Sequence, residues 1–409
     1  MTATPSAPAG RIKQRNGIEV ADIFRQHIGR YRKKYRMPPP HLKVAGDILN
    51  CRTSYLGGHI ERCDHCGTEA ISYNSCRNRH CPKCQCLTKE RWLAARTVEL
   101  LPVRYFHVVF TLIHELNPVV LTNKRVMLNI LFKAVADTLL TFGLNPDNGL
   151  CGLLGFIAVL HTWDQKMRDH FHLHCLVPAG ALCDHKTRWK HCQDDFLFPV
   201  KALSPVVRER YLTQMKAAYA DGKLDFPGKT QSLGTRAGFK ALIKRCYRHA
   251  WVVNIRKPID RPEYVLDYLG RYTHRVAISN NRIVSMDDGQ VTFAYKNRKT
   301  HQKEYERIDA VEFIRRFLLH VLPKGLMRIR HYGFFANRYK KENLRICRKL
   351  LGIDAEPPAV VKESIRQLMQ RLTGVDITRC PNCKKATMTV VSKIAKGTGQ
   401  NSFRIINPP

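Results

Sequence analysis

The nine residues His170-Phe171-His172-Leu173-His174-Cys175-Leu176-Val177-Pro178 constrain this chain more than any other stretch. They alternate with a period of two, the spacing at which successive side chains of a strand face opposite sides. Phe171, Leu173, Cys175 and Val177 form one apolar face, and His170, His172, His174 and Leu176 form the other. The apolar side requires a core. The other side sets three imidazoles in a row on a rigid element, and imidazole is the commonest protein ligand of a catalytic metal. For a single histidine a wet sheet face would be the simpler reading. Three at period two favour a metal platform.

A chain of 409 residues has length for two or three domains. Lys and Arg number 69 against 33 Asp and Glu, a formal net charge of +36. An excess of that size calls for a polyanionic partner, most simply nucleic acid. A membrane surface is the rival, but the sequence offers no apolar run expected to span a bilayer and no hydrophobic signal segment. Cytoplasmic placement is the expectation. Fifteen cysteines would suit a secreted disulfide scaffold in a shorter chain. Here many fall in Cys-x2-Cys pairs beside histidine, so bound zinc in a reducing compartment fits better.

Residues 1–19 are expected to be a disordered start. Residues 20–36 place Val20, Ile23, Phe24, Ile28, Tyr31 and Tyr35 at helical spacing among six Lys and Arg residues, which predicts a basic amphipathic helix. Tyr105–Leu112 reads as a buried strand, and residues 119–142 as a long helix. Phe156–Trp163 reads as a strand joined to the histidine strand by about six polar residues, which makes a hairpin. Beyond residue 300 the sequence is basic and reads as mostly helical. The expected division is 20–95 for a basic helix plus Cys/His module, 100–300 for a catalytic domain and 301–409 for a helical, basic C-terminal region.

Cys63-x2-Cys66 and Cys81-x2-Cys84, 14 residues apart, have the spacing of a four-cysteine zinc site. Cys51, His59, Cys76 and His80 lie around them and would make a second tetrahedron, unless Cys76 is simply a buried hydrophobe. Arg77, Arg79 and Lys83 surround the module and are expected to grip DNA. Cys380-Pro-Asn-Cys383 is a pair without a visible second. It is either half of a site completed elsewhere or nothing.

Asp260-Arg261-Pro262-Glu263 opens a helix with a capping-box pattern and proline in the first turn. Tyr264, Tyr268 and Tyr272 recur every four residues along it and share a face. Such stripes usually pack on a core. Val265, Leu266 and Leu269 already supply an apolar side, and Arg261, Arg271, His274 and Arg275 suit a phosphate backbone. A tyrosine hydroxyl can attack phosphorus when a metal or base assists. The chain carries no Gly-x4-Gly-Lys-Ser/Thr phosphate loop, so no nucleotide cofactor is expected.

In this setting His172-Leu173-His174 resembles the His-hydrophobe-His signature of rolling-circle (HUH) nucleases, and the chain is similar to the zinc-binding transposases of insertion-sequence family ninety-one. Further stretches carry the likeness: Cys51-Arg-Thr, Tyr73 to Cys84, Tyr105 to Leu112, Tyr268 to Ser279 and Arg330 to Arg338. It runs in order over roughly residues 20 to 385. The resemblance implies an α+β fold, with an antiparallel sheet carrying the His pair on a central strand and the tyrosine helix beside it. It implies a DNA transposase that nicks one strand at element ends through tyrosine, leaving a 5′-phosphotyrosine and a free 3′ hydroxyl. Tyr268 and Tyr272 carry over as nucleophiles, and His172 and His174 as ligands of Mg²⁺ or Mn²⁺. His161 is favoured as third ligand, with Asp164 and Gln165 as alternatives. DNA would be the partner, as single-stranded element ends and target site, contacted by Arg271 and Arg275 among others. A plasmid replication initiator or relaxase shares this chemistry, and a non-catalytic zinc DNA-binding protein is the plainer alternative.

Overall fold

A computed structural model describes residues 17–193, 195–260, 264, 266, 270, 277–297, 299–360 and 363–397, the side chains of 85, 86 and 184 aside. Its strands, numbered along the chain, are β1 (Gly58–Cys63), β2 (Glu69–Tyr73), β3 (Tyr105–Thr111), β4 (Gly155–Trp163), β5 (Asp169–Pro178), β6 (Gly180–Cys183), β7 (Arg188–His191), β8 (Val252–Ile255), β9 (Ile283–Asp287), β10 (Gln290–Lys296), β11 (Lys303–Asp309), β12 (Ile329–Gly333) and β13 (Met388–Ile394). The fold is α+β.

The histidine strand β5 is the middle member of a five-stranded sheet of order β12-β4-β5-β3-β8. Every neighbouring pair in it is antiparallel. The alternation read from sequence sets its two faces. Phe171, Leu173, Cys175 and Val177 join Phe106, Val108 and Phe110 of β3 and Phe156, Ala158 and Leu160 of β4 in the main core. Helices Lys124–Leu144, Val200–Ala220 and Arg236–Arg248 cover this face. Each large apolar side chain fully buried there contributes about 2 kcal/mol. A one-residue slip of β5 would exchange Phe171, Leu173, Cys175 and Val177 for three imidazoles and a leucine, so register is tightly held.

Helix Lys124–Leu144 corrects one expectation: among the described residues it is long and apolar enough to cross a membrane. Twelve of its residues are buried, including Met127, Leu131, Phe132 and Leu139. Its apolarity is therefore explained by its place under the sheet.

A second core gathers helices Val20–Lys34, Pro39–Leu49 and Ala310–Leu319 with the sheet β11-β10-β9. Of the predicted apolar stripe Val20, Ile23, Phe24, Ile28 and Tyr31 are buried and Tyr35 is half-buried at the C-cap, and Phe24 meets Phe317 edge-on at 5.4 Å. Pro38–Pro40 do more than stop that helix, since Pro39 sits in the first turn of the next, where its missing N–H costs nothing.

The division of the chain is less linear than expected. Strand β12, from the region taken as C-terminal, pairs with β4 as the edge of the histidine sheet. There Gly333 adopts φ +59°, and a Cβ would fall 1.6 Å from the Leu154 carbonyl oxygen, so only glycine permits this approach. Strand β13, in a tail read as helical, pairs with β1 and completes the sheet β13-β1-β2. The expected disordered start lies outside the described residues as far as residue 16.

Candidate active site and metal centres

The β4–β5 hairpin places His161 directly opposite His172, and His174 two positions further along the same face. Facing residues in an antiparallel pair stand about 5 Å apart, within reach of one ion. The ring centroids are 5.2 Å apart for His161–His172, 4.3 Å for His161–His174 and 4.8 Å for His172–His174. One ligand nitrogen from each lies within 4.8 Å of the other two. All three side chains are buried, so this is not a wet sheet face.

The turn between the strands explains why His161 converges and its alternatives do not. Asp164 accepts hydrogen bonds from the backbone N–H groups of Lys166 and Arg168 at 2.8 Å, and from Arg168 Nε at 2.9 Å. Its carboxylate folds the loop. Gln165 gives its backbone carbonyl to Arg282. His170 is the outlying member of the row, stacked on His114 at 5.7 Å. Beside the turn lies a groove of about 560 Å³ lined in part by His114, Lys166, Arg168, His170 and Lys296.

Tautomers in this cluster are partly set by neighbours. His172 Nδ1 lies 2.9 Å from the His170 carbonyl, so that nitrogen donates and Nε2 carries the lone pair. His174 Nδ1 lies 2.7 Å from Nε2 of His107 on β3. Burial, with Arg256 adding to it, pushes His107 down to about 4. Burial, together with the neighbouring imidazoles, holds His174 well below the usual histidine value. Both rings are therefore neutral at pH 7, the state in which imidazole ligates. A metal ion on His174 Nε2 would require Nδ1 to carry the proton and donate to His107, which would then orient the ring. Sequence reasoning missed His107. Its signal was a histidine inside the apolar run Tyr105–Leu112, where a buried polar group needs a partner. Replacing His107 with Ala is expected to weaken divalent-ion binding by about 10- to 100-fold. Replacement by Gln, which keeps a polar atom there, should recover part of it. Metal titration by calorimetry checks this, and unchanged affinity in His107→Ala would remove the positioning role.

Three imidazole nitrogens fit a first-row transition ion such as Mn²⁺ better than Mg²⁺, which prefers oxygen ligands. Fit to a divalent cation therefore holds, with the softer of the two expected ions favoured.

The tyrosine segment is described at three positions. Tyr264 is exposed, Leu266 is buried, and a Cβ on Gly270 would meet Leu93 at 2.8 Å, so Gly270 packs closely on helix Gln85–Thr97. Tyr268, Tyr272, Arg271 and Arg275 lie outside the described residues.

The cysteines form two clusters that differ from the sequence assignment. Cys51, Cys76, Cys81 and Cys84 form one, and Cys63, Cys66, Cys380 and Cys383 form the other. The two pairs Cys63/Cys66 and Cys81/Cys84 thus do not share a site, because each is completed by other cysteines. Neither His59 nor His80 joins a cluster. His59 Nε2 lies 3.4 Å from Glu61, and buried His80 accepts the N–H of Leu322 through Nε2 at 3.4 Å. In the first cluster Cys84 Sγ is 3.4 Å from Cys51 and 3.6 Å from Cys76. Tetrahedral Zn–S bonds of about 2.3 Å put sulfurs about 3.8 Å apart, so the set fits zinc.

Two expected DNA contacts are engaged within the protein. Arg79 donates to the carbonyls of Leu322, Pro323 and Leu326, and Lys83 pairs with Glu19. Arg77 is exposed.

Two family matches fit this layout. Residues 23–112 match a family described as "Transposase zinc-binding domain", and residues 155–343 match one described as "Putative transposase". The first holds the Cys51 cluster, and the second holds the hairpin, the tyrosines and β12. The chain is 43% identical over 389 residues to "Putative transposase y4qJ" of Sinorhizobium fredii, covering 94% of this chain and 98% of that protein. It is 27% identical over 343 residues to "Transposase for insertion sequence element IS801" of Pseudomonas savastanoi pv. phaseolicola, covering 82% and 80%. No solved structure matches. Near-complete coverage of a transposase, a zinc-binding transposase domain and the histidine hairpin in the second matched segment together place the chain in the insertion-sequence ninety-one family of zinc-binding transposases.

Proposed function

We propose that this transposase is a metal-dependent single-strand DNA endonuclease and strand transferase of the HUH type, acting in rolling-circle transposition. The observation that carries the reading is the buried convergence of His161, His172 and His174 from two adjacent strands. A divalent cation held there would draw charge from a bound phosphate and ease attack on phosphorus. The hydroxyl of Tyr268 or Tyr272 gives up its proton and its oxygen bonds to phosphorus. The bond from phosphorus to the 3′ oxygen of the preceding nucleotide breaks, giving a 5′-phosphotyrosine and a free 3′ hydroxyl. The phosphodiester energy is conserved, so no nucleotide triphosphate is consumed. Two tyrosines four residues apart in sequence would allow a second strand to be held in turn.

DNA is drawn to the site by the net charge of +36. Arg77, Arg271 and Arg275 are assigned to DNA contact, whereas Arg79 and Lys83 have internal partners. Similarity to transposases along almost the whole chain favours transposition over plasmid replication.

The test uses labelled single-stranded DNA bearing the element end, with Mn²⁺ or Mg²⁺, on a denaturing gel. Wild type should give a covalent protein–DNA band. Tyr268→Phe combined with Tyr272→Phe should lose it completely while DNA binding remains, and the single changes assign the two residues. An undiminished band from the double variant would end the tyrosine assignment.

A further inference from the structure

We propose that Cys63, Cys66, Cys380 and Cys383 form a second structural zinc site that fastens the C-terminal segment, residues 376–394, onto the N-terminal module. Half of its ligands lie far outside the matched zinc-binding segment, residues 23–112.

Sulfur geometry supports an ion. Cys63 and Cys383 sulfurs are 3.6 Å apart, as are those of Cys66 and Cys380. A disulfide requires about 2.05 Å, and a zinc tetrathiolate about 3.8 Å. The two half-sites also repeat one backbone design. In the first, the Gly67 N–H bonds to the Cys63 carbonyl at 3.1 Å; in the second, the Lys384 N–H bonds to the Cys380 carbonyl at 3.0 Å. Each Cys-x2-Cys is followed at once by a left-handed residue, Gly67 at φ +68° and Lys384 at φ +57°. For lysine that conformation is uncommon, and here it wraps the chain around the sulfurs.

The second support is what the segment lacks. From 376 to 394 Cys380 is the one buried hydrophobic residue among those described, while Val390 and Val391 of β13 are exposed. Strand β13 nevertheless pairs with β1 from Gly58 to Cys63, with a bulge between Ile60 and Glu61. A three-stranded sheet without an apolar face of its own has little stability in water. Small units of this kind are commonly closed by metal. Zinc bridging β1 and the segment leading into β13 supplies the missing cohesion.

The test compares full-length wild type with Cys380→Ser combined with Cys383→Ser. Total zinc by plasma mass spectrometry should fall by one per chain. Cobalt substitution should show the tetrathiolate charge-transfer band reduced by about half, since one of two such sites remains. Hydrogen exchange should accelerate at least tenfold in residues 388–394 and 58–63, with β3 and β5 unchanged as a check on folding. Equal zinc content in the two proteins, or loss of one zinc with unaltered exchange in 388–394, would overturn the proposal. The transposition chemistry is not read in this experiment, so its outcome is independent of the function proposed above.

Discussion

Changing His172 and His174 together to alanine is expected to lower the rate of strand nicking by a thousandfold or more while leaving DNA binding and zinc content intact. The two residues are joined by His161 into a set whose ligand atoms lie within 4.8 Å of one another. Removing two of three nitrogens leaves no chelate. Charge stabilisation by a bound cation is worth several kcal/mol in the transition state. At 1.36 kcal/mol per tenfold, about 4 kcal/mol corresponds to about a thousandfold in rate. The imidazoles face away from the main core, which is built from Phe171, Leu173, Cys175 and Val177, so the sheet should survive. Calorimetry should show loss of Mn²⁺ binding, and a gel assay should show loss of both cleaved strand and covalent adduct. Nicking at the wild-type rate by a properly folded double variant would place the reaction somewhere else on the molecule.

Cys81→Ser should be more damaging to stability. Cys81 and Cys51 are both 1% exposed and belong to the core shared with Phe24, Ile48 and Phe317. A zinc ion held by them would lie against this packing, and its loss would disturb it. Structural zinc contributes about 10–16 kcal/mol of apparent binding energy in small zinc-finger peptides. That rivals the whole stability of an ordinary domain, about 5–15 kcal/mol. Loss of one ligand should unfold helices Val20–Lys34 and Pro39–Leu49 at a temperature where the histidine sheet is still protected. Hydrogen exchange resolved by segment, with dye-monitored zinc release, checks this. A single unshifted melting transition with full zinc retained would contradict it.

What could be read from sequence was what a short pattern encodes. The alternation at 170–177 gave both faces of β5, and the turn length gave its hairpin partner, because period and loop length are local quantities. Cysteine pairing was different. Cys-x2-Cys identifies half a tetrahedron, and nothing in its spacing says which other half completes it. The shared interval of 14 residues suggested Cys63/Cys66 with Cys81/Cys84, whereas Cys66 meets Cys380 across 314 positions. Strands β1, β2, β11 and β13 were missed since they bury few apolar side chains and show no apolar period. Strand β12, Ile329-Arg-His-Tyr-Gly333, is too polar and short to announce itself, and pairing with β4 decides its state. Arg79 was assigned to phosphate because a cation's partner is not written beside it. Three backbone carbonyls engage it instead.

The late positions of β12 and Cys380/Cys383 bear on how the protein is made. A ribosome delivers the N-terminal knuckle and the histidine hairpin long before it delivers the strand that edges the sheet or the thiols that complete the second cluster. Both pieces finish in the last fifth of the chain. A nascent or prematurely terminated polypeptide thus carries the histidine trio without the parts that close the structure around it. A copy of the gene interrupted by a stop codon ahead of β12 should yield a product exposed to proteases.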